Sequence, residues 1–142
     1  MKHIVNSVAV CAILGVVVSV GVALLGATQT APTEVKVVEM TARKYEYSPP
    51  EVRVKKGMRV QLKIRALDRT HGFKIALYPE GGGESGAAGL KFDPAQENFK
   101  LAEKEERVIE FAAERAGNYP FKCSVFCGLG HSKMKGVLIV EE

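Results

Sequence analysis

Two thiols, an imidazole and a thioether fall within Cys123-Ser124-Val125-Phe126-Cys127-Gly128-Leu129-Gly130-His131-Ser132-Lys133-Met134, spaced Cys-x3-Cys-x3-His-x2-Met. Thiolate and thioether are soft donors that suit copper(I), and imidazole suits copper in either oxidation state. The competing reading of Cys123 and Cys127 is a disulfide, which an oxidising compartment permits. A bridge over so short a loop gains little from loop closure and leaves His131 and Met134 without a role, so metal is the expected occupant. Met134 stands between Lys133 and Lys135, an apolar side chain in a polar setting, which fits a ligand better than core filler. One other histidine lies in the body of the chain, His71 in Asp68-Arg69-Thr70-His71-Gly72-Phe73. A single-copper blue site takes one Cys, two His and a weak axial Met, and here there is one Cys too many. Two thiolates can instead bridge a pair of coppers, with one His for each metal and two weak axial donors. His71, Cys123, Cys127, His131 and Met134 then leave one weak donor short, a place for a backbone carbonyl between the cysteines.

The elements that must hold these donors read as strands. Val60, Leu62, Ile64 and Ala66 alternate with Arg59, Gln61, Lys63 and Arg65, the pattern of a half-buried strand. Further strands are expected at Val35-Val37-Val38, Tyr45-Tyr47, Val52-Val54, Phe73-Ile75-Leu77, Val108-Ile109-Phe111 and Tyr119-Phe121-Cys123, with a last one over 136–140. Ser48-Pro49-Pro50 interrupts pairing and Lys55-Lys56-Gly57 turns the chain. A Gly-rich stretch between Pro79 and Gln96 reads as a loop with a short helical piece around 94–97, its position relative to the metal end open. Many short strands and no long amphipathic helix predict an all-β sandwich over residues 35–142.

The first residues differ in kind. After Met1-Lys2-His3, the stretch Ile4 to Ala27 carries no charge, roughly 23 residues that suffice to cross a bilayer core. Residues 1–27 are expected to be an N-terminal transmembrane anchor and 28–34 a linker. Gly26-Ala27 and Thr30-Ala31 also offer small residues for signal cleavage, the alternative. With Lys2 on the cytoplasmic side, the sandwich lies outside the cytoplasm, a single-pass periplasmic arrangement. Cys11, inside the apolar run, reads as a small buried hydrophobe. The net charge of +4 is mild, there is no Trp, and no basic stripe with interleaved aromatics is present, so no nucleic-acid partner is expected.

The segment Cys-Ser-Val-Phe-Cys-Gly-Leu-Gly-His-Ser-Lys-Met-Lys-Gly, with Thr70-His71-Gly72-Phe73 upstream, resembles the dinuclear copper A (CuA) domain of cytochrome c oxidase subunit II. Tyr47-Ser48-Pro49 before Val52-Arg53-Val54-Lys55-Lys56-Gly57, and Gly117-Asn118-Tyr119 before the first cysteine, add to the likeness. The resemblance implies a Greek-key cupredoxin fold and two copper ions. It implies that Cys123 and Cys127 bridge both metals, that His71 and Met134 complete one copper, and that His131 and the backbone carbonyl of Val125 complete the other. Val125 departs from the acidic or amide residue usual there, which spares a carbonyl ligand. The family commonly has two transmembrane helices and docking tryptophans, whereas this chain has one apolar run and no Trp.

No Ser/His/Asp set, defined carboxylate pair or phosphate-cradling glycine loop appears, so the chain by itself is not expected to transform a substrate. Gly81 to Gly83 lacks the Lys-Ser/Thr of a P-loop. Two readings stay open. The first is the electron-entry subunit of a terminal oxidase, taking electrons from cytochrome c or another small redox donor and passing them to haem in a haem–copper catalytic subunit. The second is a free-standing membrane-anchored CuA carrier or copper-handling protein. Donor docking is expected on an apolar rim around Leu129 and Met134.

Overall fold

A computed structural model describes residues 34–84 and 86–142. The expected anchor over 1–27 and nearly all of the linker lie outside the described residues. Ten strands form in chain order: β1 Val35–Arg43, β2 Glu46–Ser48, β3 Glu51–Lys55, β4 Arg59–Ala66, β5 His71–Ile75, β6 Leu90–Phe92, β7 Asn98–Leu101, β8 Glu106–Ala113, β9 Gly117–Lys122 and β10 Lys135–Glu141. They make two five-stranded sheets, ordered β2-β1-β4-β8-β6 and β3-β10-β9-β5-β7. β1 runs parallel to β4 and β3 parallel to β10, while the other pairs are antiparallel. Among the described residues there is no α-helix, only one short 3-10 turn at His131–Lys133. The all-β sandwich expected from the alternation is what forms.

Side-chain alternation places the core. In β4, Val60, Leu62, Ile64 and Ala66 are buried, and their cross-strand neighbours Phe111 and Ile109 of β8 are buried with them. β1 turns inward at Val38, Met40 and Ala42, whereas Val35 and Val37 remain about half exposed. The second sheet contributes Phe73, Ile75, Tyr119, Phe121, Leu138 and Val140. Tyr47 stands edge-on to Phe73 and Phe121, with ring centroids 5.8 and 5.3 Å apart. Edge-to-face pairs of this kind add about 0.5–1.5 kcal/mol beyond the area they bury. This aromatic layer underlies the strand ends that carry the metal-type donors.

The expected helical piece around 94–97 is absent, and the Gly-rich stretch yields a strand of its own. β6 pairs with β8 through Leu90↔Ala113 and Phe92↔Phe111, because burying Leu90 beside the core outweighs the loop-like composition around it. β7, just beyond, pairs with β5. The Gly-rich loop sits at the start of β9: the Glu80 N–H donates to the Asn118 carbonyl, and a Cβ on Gly89 would collide with the Tyr119 hydroxyl. The donor loop leaves the other end of β9, while Gly83 and Glu84 of the Gly-rich loop line a groove together with Lys74 of β5.

Candidate metal centre

The donor loop connects β9 to β10, and its ends are held as a continuation of their ladder. Lys135 pairs with Lys122, and the Cys123 N–H donates to the Met134 carbonyl at 3.0 Å. Inside the loop the His131 N–H donates to the Gly128 carbonyl at 3.0 Å and the Lys133 N–H to the Gly130 carbonyl at 3.0 Å. The loop lies flat on Tyr45: a Cβ on Gly130 would come within 2.1 Å of that ring. Close approach of backbone to an aromatic face explains why Gly130 flanks the exposed Leu129.

His71 arrives from the opening strand of the neighbouring ladder. β5 pairs with β9 only at Lys74↔Lys122 and Ile75↔Phe121, and beyond Lys122 the two strands part. There the Gly72 N–H finds a sulfur acceptor, donating to Cys123 Sγ at 3.3 Å. The Gly72 carbonyl accepts from the buried Tyr47 hydroxyl, so both polar groups of that residue are fixed.

The six residues singled out from the sequence come together. Cys123 Sγ lies 3.8 Å from Cys127 Sγ and 3.1 Å from the Val125 carbonyl oxygen. Cys127 Sγ lies 3.8 Å from His131 Nδ1 and 4.0 Å from Met134 Sδ. One ring nitrogen of His71 and both Sγ atoms lie within 4.8 Å of one another. Both cysteines are free, which sets aside the disulfide reading. His71, Cys123, Cys127 and Met134 are all at most 5% exposed. Met134 therefore belongs to the interior and not to a docking rim. The exposed apolar residues of the loop are Phe126 and Leu129.

Whether these donors suit a metal is tested by His71. Its Nε2 lies 2.8 Å from Asp68 Oδ1, while its Nδ1 is buried with no hydrogen-bond partner. A buried unpartnered ring nitrogen is costly unless something binds it. With two thiols beside it, the missing partner has the character of a soft metal ion, and copper fits the donor set. Asp68 is a residue the sequence reading missed, although a carboxylate three positions before a candidate ligand was the available signal. Its Oδ2 accepts from the Lys44 N–H at 3.0 Å. Partial burial works to raise the Asp68 carboxyl, but the hydrogen bonds from His71 and Lys44 outweigh it and hold the group below its ordinary value. Arg69 was also missed; it donates through Nη1 to the Cys127 carbonyl at 2.8 Å and braces the loop.

Burial, then the hydrogen bond and charge of Cys123, push the Cys127 thiol from 9.0 up to about 11. The folded metal-free chain thus favours the neutral thiol. That preference stabilises the fold fully below about pH 9 and is lost as pH rises through about 11. Urea melts of metal-free protein are expected to show a midpoint that falls across this window, and Cys127→Ser to lose that part of the decline. An identical pH profile in the variant would remove Cys127 as its source.

Residues 16–140 match the family described as Cupredoxin-like domain. The chain belongs to that family. Two proteins named cytochrome c oxidase subunit 2 from Thermus thermophilus are each 28% identical to it over 114 residues, or 80% of this chain. The matched region spans 71% of one of them and 57% of the other. In structure it resembles a chain of a heme-copper terminal oxidase dimer, with TM-score 0.54 and 22% identity, covering 75% of this chain and 65% of that one. It also resembles reduced auracyanin from Roseiflexus castenholzii, with TM-score 0.55 and 17% identity, covering 75% of this chain and 98% of that one. These structural likenesses agree on the sandwich. The cupredoxin-like fold and the donor cluster together support copper binding, and His71, Cys123 and Cys127 fit a CuA site.

Proposed function

We propose that this chain holds a dinuclear CuA centre and serves as the electron-entry subunit of a terminal oxidase, anchored by residues 1–27 with its sandwich on the periplasmic side. In this reading Cys123 and Cys127 would be the thiolate ligands of the copper pair, and His71, His131, Met134 and the Val125 carbonyl would complete its donor set. The observation that carries it is the convergence of two free buried thiols on a histidine whose Nδ1 lacks a partner. A blue single-copper site has no use for the second thiol. When bound, a copper pair sharing two thiolates supplies a one-electron centre whose charge change is spread over both metals.

The chain's own residues supply rigidity and insulation. Tyr47 and the ladder hold Gly72, whose N–H stabilises negative charge on Cys123 Sγ. Asp68 fixes which nitrogen His71 presents. Similarity to the subunit 2 sequences supports an oxidase partner. The exposed Phe126 and Leu129 beside the donors give a small apolar rim for a passing redox protein.

The test is copper loading of the full chain in detergent. Two coppers per chain, a purple colour and a mixed-valence resonance from one shared electron are expected. One copper with a blue single-site spectrum overturns the dinuclear assignment. Haem co-purifying from native membranes supports the oxidase role; a haem-free copper protein under mild detergent favours the free-standing carrier.

Asp68→Asn keeps the size of the side chain but weakens its hold on the His71 ring. Loss of such an outer partner typically costs about 10- to 100-fold in metal affinity. That drop is the expected result in competition with a copper chelator, with the melting temperature of metal-free protein changed little. Unaltered copper affinity would deny Asp68 this role.

A further inference from the structure

Three lysines stand side by side across the second sheet at the foot of the donor loop. Lys135 of β10 is the direct cross-strand partner of Lys122 in β9, and Lys122 is the direct partner of Lys74 in β5. Directly opposed residues in an antiparallel pair project from the same face, and like charges there repel. All three are exposed, and none forms an ion pair among the described residues. Glu51 is paired with Arg53, and Glu84 and Glu97 share a groove with Lys74 without forming an ion pair with it. Between the lysines lies a shallow depression of about 350 Å³ whose floor includes Ala76 and Pro120. The row adjoins the centre through the chain itself: Lys122 precedes Cys123 and Lys135 follows Met134.

We infer that this row is the docking face for an acidic electron-donor protein, a partner that rests on the electron-transfer reading above. A repulsive row next to the metal-type donors has a physical use when an oppositely charged surface covers it. Charge of this kind speeds diffusional encounter and sets orientation, which suits a transient partner. A permanent subunit contact is larger and more apolar. Steering to the row brings the donor's redox group to the residues flanking Cys123 and Met134, where the small apolar floor completes the contact.

The test uses copper-loaded full chain in detergent, with one acidic and one basic c-type cytochrome as probes. Stopped-flow reduction by the acidic cytochrome is expected to be fast at low salt and to slow steeply as salt rises. Reversal of the row in Lys74→Glu/Lys122→Glu/Lys135→Glu is expected to slow that reaction by about tenfold or more at low salt, an effect that fades at high salt. The same variant is expected to quicken the basic cytochrome. Lys122→Glu alone turns two like-charge contacts into opposite ones, so it should melt no lower than the parent while still slowing the acidic donor.

Carbodiimide cross-linking of the acidic cytochrome supplies a readout that needs no electron transfer, and bonds to Lys74, Lys122 and Lys135 are expected. Cross-links at the row without electron transfer keep the docking face and sink the electron-entry reading. Electron transfer with rates indifferent to the row, or cross-links elsewhere, keep that reading and overturn the docking face. Protection of the three lysines from acetylation only in nanodiscs of anionic lipid, with unchanged donor rates, assigns the row to the membrane surface and also overturns it.

Discussion

Cys123→Ser is expected to abolish the dinuclear centre: copper content falls from two per chain to one or none, and the purple bands and mixed-valence resonance vanish. The effect is large because Cys123 is tied into the cluster from several sides. Its Sγ receives the Gly72 N–H, contacts the Val125 carbonyl and faces the Cys127 sulfur at 3.8 Å. A serine hydroxyl keeps its proton at neutral pH and is a hard, poor bridge for copper. The fold should tolerate the change, since the hydroxyl can still donate to the Val125 carbonyl and the sulfur site is lined by polar backbone. Destabilisation of metal-free protein by about 1 kcal/mol is expected, within the range of ordinary hydrogen-bond changes. The rise in melting temperature that copper confers on the parent, by binding only the folded chain, should be missing from the variant. Calorimetric melts with and without copper, beside metal analysis, separate loss of the site from loss of the fold. Retention of two coppers and a shared electron by Cys123→Ser would show that this sulfur is not a bridge.

How far the donor set was legible follows from where its members lie. Cys123, Cys127, His131 and Met134 share one loop, so their chemistry is written in local spacing. His71 reaches them through the pairing of β5 with β9, and Gly72 meets Cys123 across 51 residues of sequence. The histidine was readable because few residue types bind copper, whereas the contact itself depends on register. Arg69 and Tyr47 act through hydrogen bonds to backbone groups far along the chain, and Asp68 through His71 and the Lys44 N–H, contacts that residue type alone does not reveal. The strands show the same division. β4, with its strict alternation, was plain. Val35 and Val37 look like core yet face outward, because alternation along β1 puts them on the face of Glu39, opposite the buried Val38, Met40 and Ala42. β6 is three residues long and follows a Gly-rich loop, so only its pairing with β8 gives it strand character. The lysine row is invisible in sequence for a like reason: its members come from three strands and become neighbours only through pairing.

Gly72→Ala is expected to cost both stability and copper binding. A Cβ at Gly72 would lie 2.5 Å from Ser124 Oγ, 2.7 Å from the Val125 nitrogen and 2.9 Å from the Ser124 nitrogen. The Ser124 hydroxyl can rotate away, but the two nitrogens are backbone of the donor loop and can move only with it. Gly72 cannot retreat instead. Its carbonyl is held by Tyr47, its N–H by Cys123 Sγ, and β5 is fixed in register with β7 through Gly72↔Lys100. The strain must therefore displace the segment that carries Cys123 and the Val125 carbonyl. Overpacking of this kind costs about 1–3 kcal/mol. In a domain of this size each kcal/mol lowers the melting temperature by about 4–8 °C. Gly57→Ala makes a discriminating companion. Gly57 has φ +87°, and a methyl there would meet nothing within 4 Å, so alanine strains the turn's backbone alone. Both variants should melt lower than the parent, but only Gly72→Ala should weaken copper binding and alter the absorption spectrum, because only there does the added methyl press on the ligands. Equal spectra in the two variants would mean that the loop accommodates the methyl without moving its donors, and that the close approach of β5 to the loop is not what sets the geometry of the site.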